Sequence, residues 1–139
     1  MTVLNFNSYR VRKIEYSVND DSSHDSGGKI QLKPEFRAHI GKGERPNQWL
    51  VTLSMKISQD APFHVNITMD GLFTYNPNQD EQKIGEDDLL MTNAVAILFP
   101  YLRSTLTTIT ALSNDIPAVV LPTVNIAQLL RKNAQEKNK

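Results

Sequence analysis

The chain has 139 residues, 40% apolar and 22% charged, and its 15 Lys and Arg are matched by 15 Asp and Glu. That length can bury a real core in one domain, and the zero formal net charge supplies no overall field to gather nucleic acid or anionic lipid. The absence of cysteine excludes disulfides, thiolate zinc sites and cysteine nucleophiles.

The first residues, MTVLNFNSYR, lack a basic segment followed by an apolar run, so they do not read as a secretory signal. No apolar run approaches the ~20 residues that cross a bilayer. A cytoplasmic protein without membrane insertion is expected. A single domain is expected over residues 1–139, with strands in about 3–75 and helices in about 86–134.

Residues 3–18 read as a strand with a fault. Tyr9 and Val11 share one parity, whereas Ile14, Tyr16 and Val18 share the other. A period of two keeps both sets on one face only if a residue is inserted, which predicts a β-bulge near Arg12 and Lys13. A polar, turn-rich segment, NDDSSHDSGG, follows at 19–28. Residues 29–41 alternate, with Ile30, Leu32, Phe36, Ala38 and Ile40 on one face. Pro34 cannot donate a ladder hydrogen bond, which suggests an edge strand or a bulge. Residues 41–47 form a turn, with Gly41 and Gly43 read as turn glycines.

Residues 48–58 alternate again through Trp49, Val51, Leu53, Met55 and Ile57. Residues 63–75 do so through Phe63, Val65, Ile67 and Met69 until Gly71 interrupts, and Leu72, Phe73 and Tyr75 then follow. The short connection predicts a hairpin of these two strands. Four half-apolar strands predict an antiparallel sheet with one face in need of cover.

The period changes after NPNQDEQKIGEDD, at 76–88. Glu86, Asp87 and Asp88 place negative charge in a first helical turn. The apolar pattern continues through Leu89, Leu90, Val95, Ile97 and Leu98 to Leu102, Leu106, Ile109 and Leu112. Pro100 is expected to kink or restart the helix. IPAVVLP, at 116–122, is extended because each proline biases its predecessor away from helix. Thr123 is read as the cap of a final helix over 124–134. Strands followed by helices predict an α+β fold, with the helices on one sheet face.

Chemistry is sparse. His24, His39 and His64 lie far apart with no carboxylate at ligand spacing, so no metal is expected. No phosphate-binding glycine loop or nucleophile elbow occurs. Tyr9, Arg10, Arg12, Lys13 and Tyr16 form a small basic and aromatic cluster. Without net charge or an RNA-binding motif it does not indicate nucleic acid. What remains is apolar surface on IPAVVLP, which either crosses the core or walls an open groove for extended apolar peptide.

ILFPYLRSTLTTITA followed by IPAVVLPTVNIAQLL resembles the signature of the SecB family of bacterial export chaperones, in which LFPYAR on a helix precedes FPxLxLxPVNFxxLF. Leu98, Phe99, Pro100, Tyr101 and Arg103 match the first part. Pro117, Leu121, Pro122, Val124, Asn125 and Leu129 match the second. DGLFTY resembles the family's GGIFxI at Gly71 and Phe73. The match is specific over about 63–130, and before residue 60 only the strand pattern agrees.

The resemblance implies a four-stranded antiparallel sheet, a long kinked helix, an extended crossover loop and a C-terminal helix, assembled as a homotetramer, a dimer of dimers. It implies a holdase that uses neither ATP nor any cofactor or metal. Its clients would be unfolded polypeptides, either preproteins or an antitoxin. On this analogy Ile116, Pro117, Val119, Val120, Leu121 and Pro122, with Phe73 and Tyr101, line the polypeptide groove. Leu98, Phe99, Leu102 and Leu106 belong to the helical core or the oligomer interface. Contact with the SecA motor is weakened by two departures. Lys13, Ser17 and Asn66 replace most of the acid the family carries there, with Glu15 the nearest candidate, and the C-terminal tail is basic. The alternative is a non-chaperone interaction module on this fold, binding one folded partner.

Overall fold

The alternating stretches become one antiparallel sheet of four strands in the order β1-β4-β3-β2. They are β1 (Leu4–Val18), β2 (Glu35–Lys42), β3 (Gln48–Ile57) and β4 (Phe63–Tyr75). The computed structural model describes residues 3–18, 34–57, 63–85, 88–112 and 125–130. β3 and β4 are central, and every odd-numbered residue from Val51 to Ile57 and from Phe63 to Met69 is buried. β1 and β2 are the edges, and Pro34 immediately precedes the edge strand β2, where its missing donor costs no ladder bond.

β1 pairs with β4 through two register shifts, between Val11 and Lys13 and between Phe6 and Ser8. The first is the bulge expected from the parity change, and the second lies one turn of the pattern earlier. Together they keep Phe6, Tyr9, Val11, Ile14, Tyr16 and Val18 opposite Phe73, Gly71, Met69, Ile67, Val65 and Phe63, all on the helix side.

Gly41 lies within β2, paired with Leu50, and the turn begins beyond it at Gly43. Gly71 does not interrupt β4. It pairs with both Val51 and Tyr9, and the alternation continues through it to Phe73. The glycine is there for space, since a Cβ would sit 2.6 Å from Leu98 Cδ2 and 2.8 Å from Phe73 Cε2.

The helical segment enters as a π turn, Leu89–Ala94, and continues as α1 (Val95–Ala111). α1 runs through Pro100 without a break, so the expected restart is absent. The irregularity lies just before α1, as the wider π turn that precedes the residues a proline ring crowds. Asp88 precedes the π turn without a side-chain cap, and the first-turn role read for Glu86 and Asp87 lies outside the described residues.

Leu90, Ala94, Val95, Leu98, Leu102, Leu106 and Ile109 pack the sheet's apolar face as one core. Each wholly buried large side chain contributes about 1.5–3 kcal/mol. The outward threonines tie their hydroxyls back to the helix, as in Thr105 to Tyr101 O (2.8 Å) and Thr108 to Ser104 O (2.9 Å). By length and composition Leu89–Ala111 could cross a membrane, against the expectation that no apolar run approaches that length. Its leucines, however, form the protein's own core. At the last described helix, α2 (126–130), the cap is Asn125, whose Oδ1 accepts the Gln128 N–H at 3.1 Å. Thr123, read as that cap, lies outside the described residues.

Between sheet and helix Asp80 staples the chain. Its carboxylate accepts the backbone N–H groups of Ile84 and Gly85 and the hydroxyl of Tyr75, each at 2.9 Å. Lys83 at φ 52° and Gly85 at φ 98° allow the tight turn this requires. The Gly85 N–H first, then that of Ile84, hold the Asp80 pKa below its ordinary value of 3.8. A carboxylate whose pKa is depressed on folding stabilises above its unfolded pKa and loses that contribution as the pH falls through the folded one. Wild type should therefore lose stability more steeply than Asp80→Asn below about pH 3.8. Denaturant midpoints measured across acidic pH check this, and parallel curves would refute it.

Candidate functional site

The segment from Ile116 through Pro117, Val119, Val120 and Leu121 to Pro122 lies outside the described residues. The other residues singled out from sequence divide into two groups. Leu98, Phe99, Leu102 and Leu106 are buried within the protomer's own core, and Phe99 meets Phe36 edge-on, with ring centroids 5.8 Å apart. Phe73 is wholly buried too, so it supports the surface rather than lining it. Tyr101 is exposed.

Tyr101 leaves α1 towards β1, where its ring lies 4.3 Å from Tyr9 and 5.7 Å from Phe6. Phe6 stacks on Phe73 at 5.1 Å. The four rings form a continuous aromatic bridge from the helix to the sheet, buried at Phe73 and open at Tyr9 and Tyr101. Offset and tilted ring pairs at these separations are favourable beyond the area they bury.

An apolar stripe extends from this bridge along β1. Val11, Ile14 and Val18 share the helix side with Tyr9, yet Tyr9 is 47% and Ile14 48% exposed. The cause is the edge position: α1 packs on β3 and β4, and β1 lies beyond them. Val11, Ile14 and Val18 were not among the residues singled out. Their signal was the parity change itself, because a bulge that returns apolar side chains to one face implies a use for that face.

The same bulge separates the basic and aromatic residues of 9–16. Tyr9 and Tyr16 face the helix side, whereas Arg10, Lys13 and Glu15 pair with the outward residues Asp70, Thr68 and Asn66. On that outer face Arg10 Nε lies 3.3 Å and Arg12 Nη1 3.7 Å from the Asp70 carboxylate, which also accepts the Thr52 hydroxyl at 2.7 Å. Asp70 is only 2% exposed, and two guanidinium groups with a hydroxyl compensate a carboxylate that would be costly to bury alone. Base stacking and phosphate contact would therefore need opposite faces of the sheet. Among the described residues no group of three or more His, Asp or Glu is placed to hold a metal.

Residues 29–137 match the family model for preprotein translocase subunit SecB. An uncharacterized protein of Methanocaldococcus jannaschii is 29% identical over 133 residues, covering 91% of this chain and 82% of its own. Among solved structures the fold is similar to a SecB-like chaperone of Mycobacterium tuberculosis, determined in complex with a ChAD peptide from the HigA1 antitoxin. The TM-score is 0.66 at 16% identity, over 87% of this chain and 90% of that one. A Streptococcus agalactiae protein of unknown function also matches, with TM-score 0.51 and 13% identity over 86% and 97% of the two chains.

Proposed function

Because the chain belongs to the SecB family, we propose that it is a cytoplasmic, ATP-independent holdase for unfolded or aggregation-prone polypeptides. The observation that carries this reading is the exposed apolar surface formed by Tyr101, Tyr9, Val11 and Ile14. An open apolar surface of this kind gains about 25 cal/mol for each Å2 of client it covers, whatever the client's sequence. The groove is completed by Ile116, Pro117, Val119, Val120, Leu121 and Pro122, with Tyr101 at its edge and Phe73 beneath it.

The protein works as a homotetramer, a dimer of dimers, in which several weak grooves on one particle add avidity. Leu98, Phe99, Leu102 and Leu106 serve the protomer core rather than the subunit contact, since they are already buried without a partner.

An antitoxin is favoured over an exported preprotein as client. The outer sheet face carries Arg10, Arg12 and Lys13, not a row of acids with which to meet a motor such as SecA. The structural neighbour from M. tuberculosis holds an antitoxin peptide.

The test is aggregation suppression without nucleotide, paired with size exclusion and light scattering. A tetramer should suppress aggregation of an unfolded client at a few-fold molar excess and co-elute with it. A particle that ignores unfolded client but retains one folded protein would favour the interaction-module reading instead.

A further inference from the structure

The outer sheet face is built from side chains that the apolar groove does not use. Strand register places them in rows across all four strands. One row is Lys13, Thr68, Ser54 and Arg37, the next is Arg10, Asp70, Thr52 and His39, and a third is Glu15, Asn66, Lys56 and Glu35. Five cations, Arg10, Lys13, Arg37, Lys56 and the bulged Arg12, which reaches Asp70, stand against three carboxylates, Glu15, Glu35 and Asp70.

The carboxylates do not cancel the cations evenly. Lys13 is paired with Glu15 at 3.2 Å. Arg10 and Arg12 share the single buried Asp70, and each keeps more than half of its side chain exposed. Arg37 and Lys56 are exposed and in no ion pair among the described residues. With Glu35, Ser54, Thr68 and Asn66 they line a shallow depression of about 300 Å3, in which the two cations outnumber the one carboxylate. Unpaired cations over hydroxyl and amide donors make a receptor for carboxylates, since Arg can grip one bidentately.

We propose that this outer face docks an acidic polypeptide segment, its carboxylates received by Arg37 and Lys56 near one edge of the sheet and by Arg10 and Arg12 at the other. β2 and β1 are three strand steps apart, about 14 Å at the usual ~4.8 Å spacing, which an extended segment rising ~3.3 Å per residue covers in about four residues. The fitting partner therefore carries acidic residues about four apart. Nucleic acid fits less well. Glu15 and Glu35 flank the cations and would oppose a continuous run of phosphates. The outward positions of the four strands also hold no Phe, Tyr or Trp on which a base could stack. The proposal requires neither the apolar groove nor an unfolded client.

Fluorescence anisotropy on the full chain tests it, using a labelled peptide with glutamate at every fourth position and a lysine peptide of the same spacing. The glutamate peptide should bind saturably and more weakly as salt rises, and the lysine peptide should not bind. Arg37→Glu combined with Lys56→Glu should weaken glutamate-peptide binding at least tenfold. Both sites are exposed, so thermal unfolding and aggregation suppression should be unchanged. Absence of saturable binding, or binding indifferent to the double reversal, would overturn the proposal. So would tighter binding of a single-stranded oligonucleotide of equal charge that the same variant abolishes, which would assign the face to nucleic acid.

Discussion

Gly71→Ala should lower the unfolding free energy by about 1–3 kcal/mol, the usual loss on overpacking a filled core. At an unconstrained position the same change would raise it by about 0.4–1 kcal/mol, by restricting the unfolded chain. The sign is decided by α1, which settles on β4 at this residue. An added Cβ would meet both methyls of Leu98, at 2.6 and 3.0 Å, and the Phe73 ring at 2.8 Å. A leucine methyl at a surface could swing away. Leu98 is wholly buried, so it moves only by displacing its neighbours. Leu98→Ala alone should cost about 2–5 kcal/mol through lost burial and the cavity it leaves. The two changes should not add. With the methyls gone the new Cβ occupies part of the cavity, and the double variant should exceed the additive expectation by about 1 kcal/mol or more. Denaturant unfolding of the four proteins measures this coupling. Strict additivity would mean that the helix does not rest on Gly71.

Residues legible in the sequence were those whose environment is set by close neighbours in the chain. The switch from Tyr9 and Val11 to Ile14 and Tyr16 announces its bulge because β1's helix-side face is under constraint. The second shift, between Phe6 and Ser8, is not read from the sequence. Other features depend on partners far away in the chain. Gly71 reads as a break because glycine usually weakens a strand, and only the approach of Leu98, 27 positions later, explains it. Pro100 reads as a kink or a restart on local rules, and the restart does not occur. The buried Leu98, Phe99 and Leu102 on either side hold the helix together against that local cost. Asp70 alternates with Met69 and so lies on the outer face. Its burial depends on Arg10 and Arg12, about 60 positions away. The aromatic bridge of the candidate site likewise joins Phe6 and Tyr9 to Phe73 and Tyr101 from three separate elements.

Val119→Asp together with Leu121→Asp should abolish client binding and leave the protein folded. If these side chains line an apolar groove, each aspartate must be desolvated against apolar client. A polar group buried without compensation costs about 1–3 kcal/mol, and a charge costs more, so the pair should weaken binding at least about thirtyfold. Near-UV circular dichroism and the unfolding midpoint should stay close to wild type, because a groove left open in the free protein imposes no such cost. Ile14→Asp should act in the same direction but more weakly, since Ile14 is already 48% exposed and its stripe would only extend such a groove. Collapse of the double variant would place Val119 and Leu121 in a closed core and favour the interaction module. A folded double variant that still suppresses aggregation would move the client site to the described surface around Tyr101 and Tyr9. There the test becomes Tyr101→Asp, whose ring lies 4.3 Å from Tyr9 on the open side of the aromatic bridge.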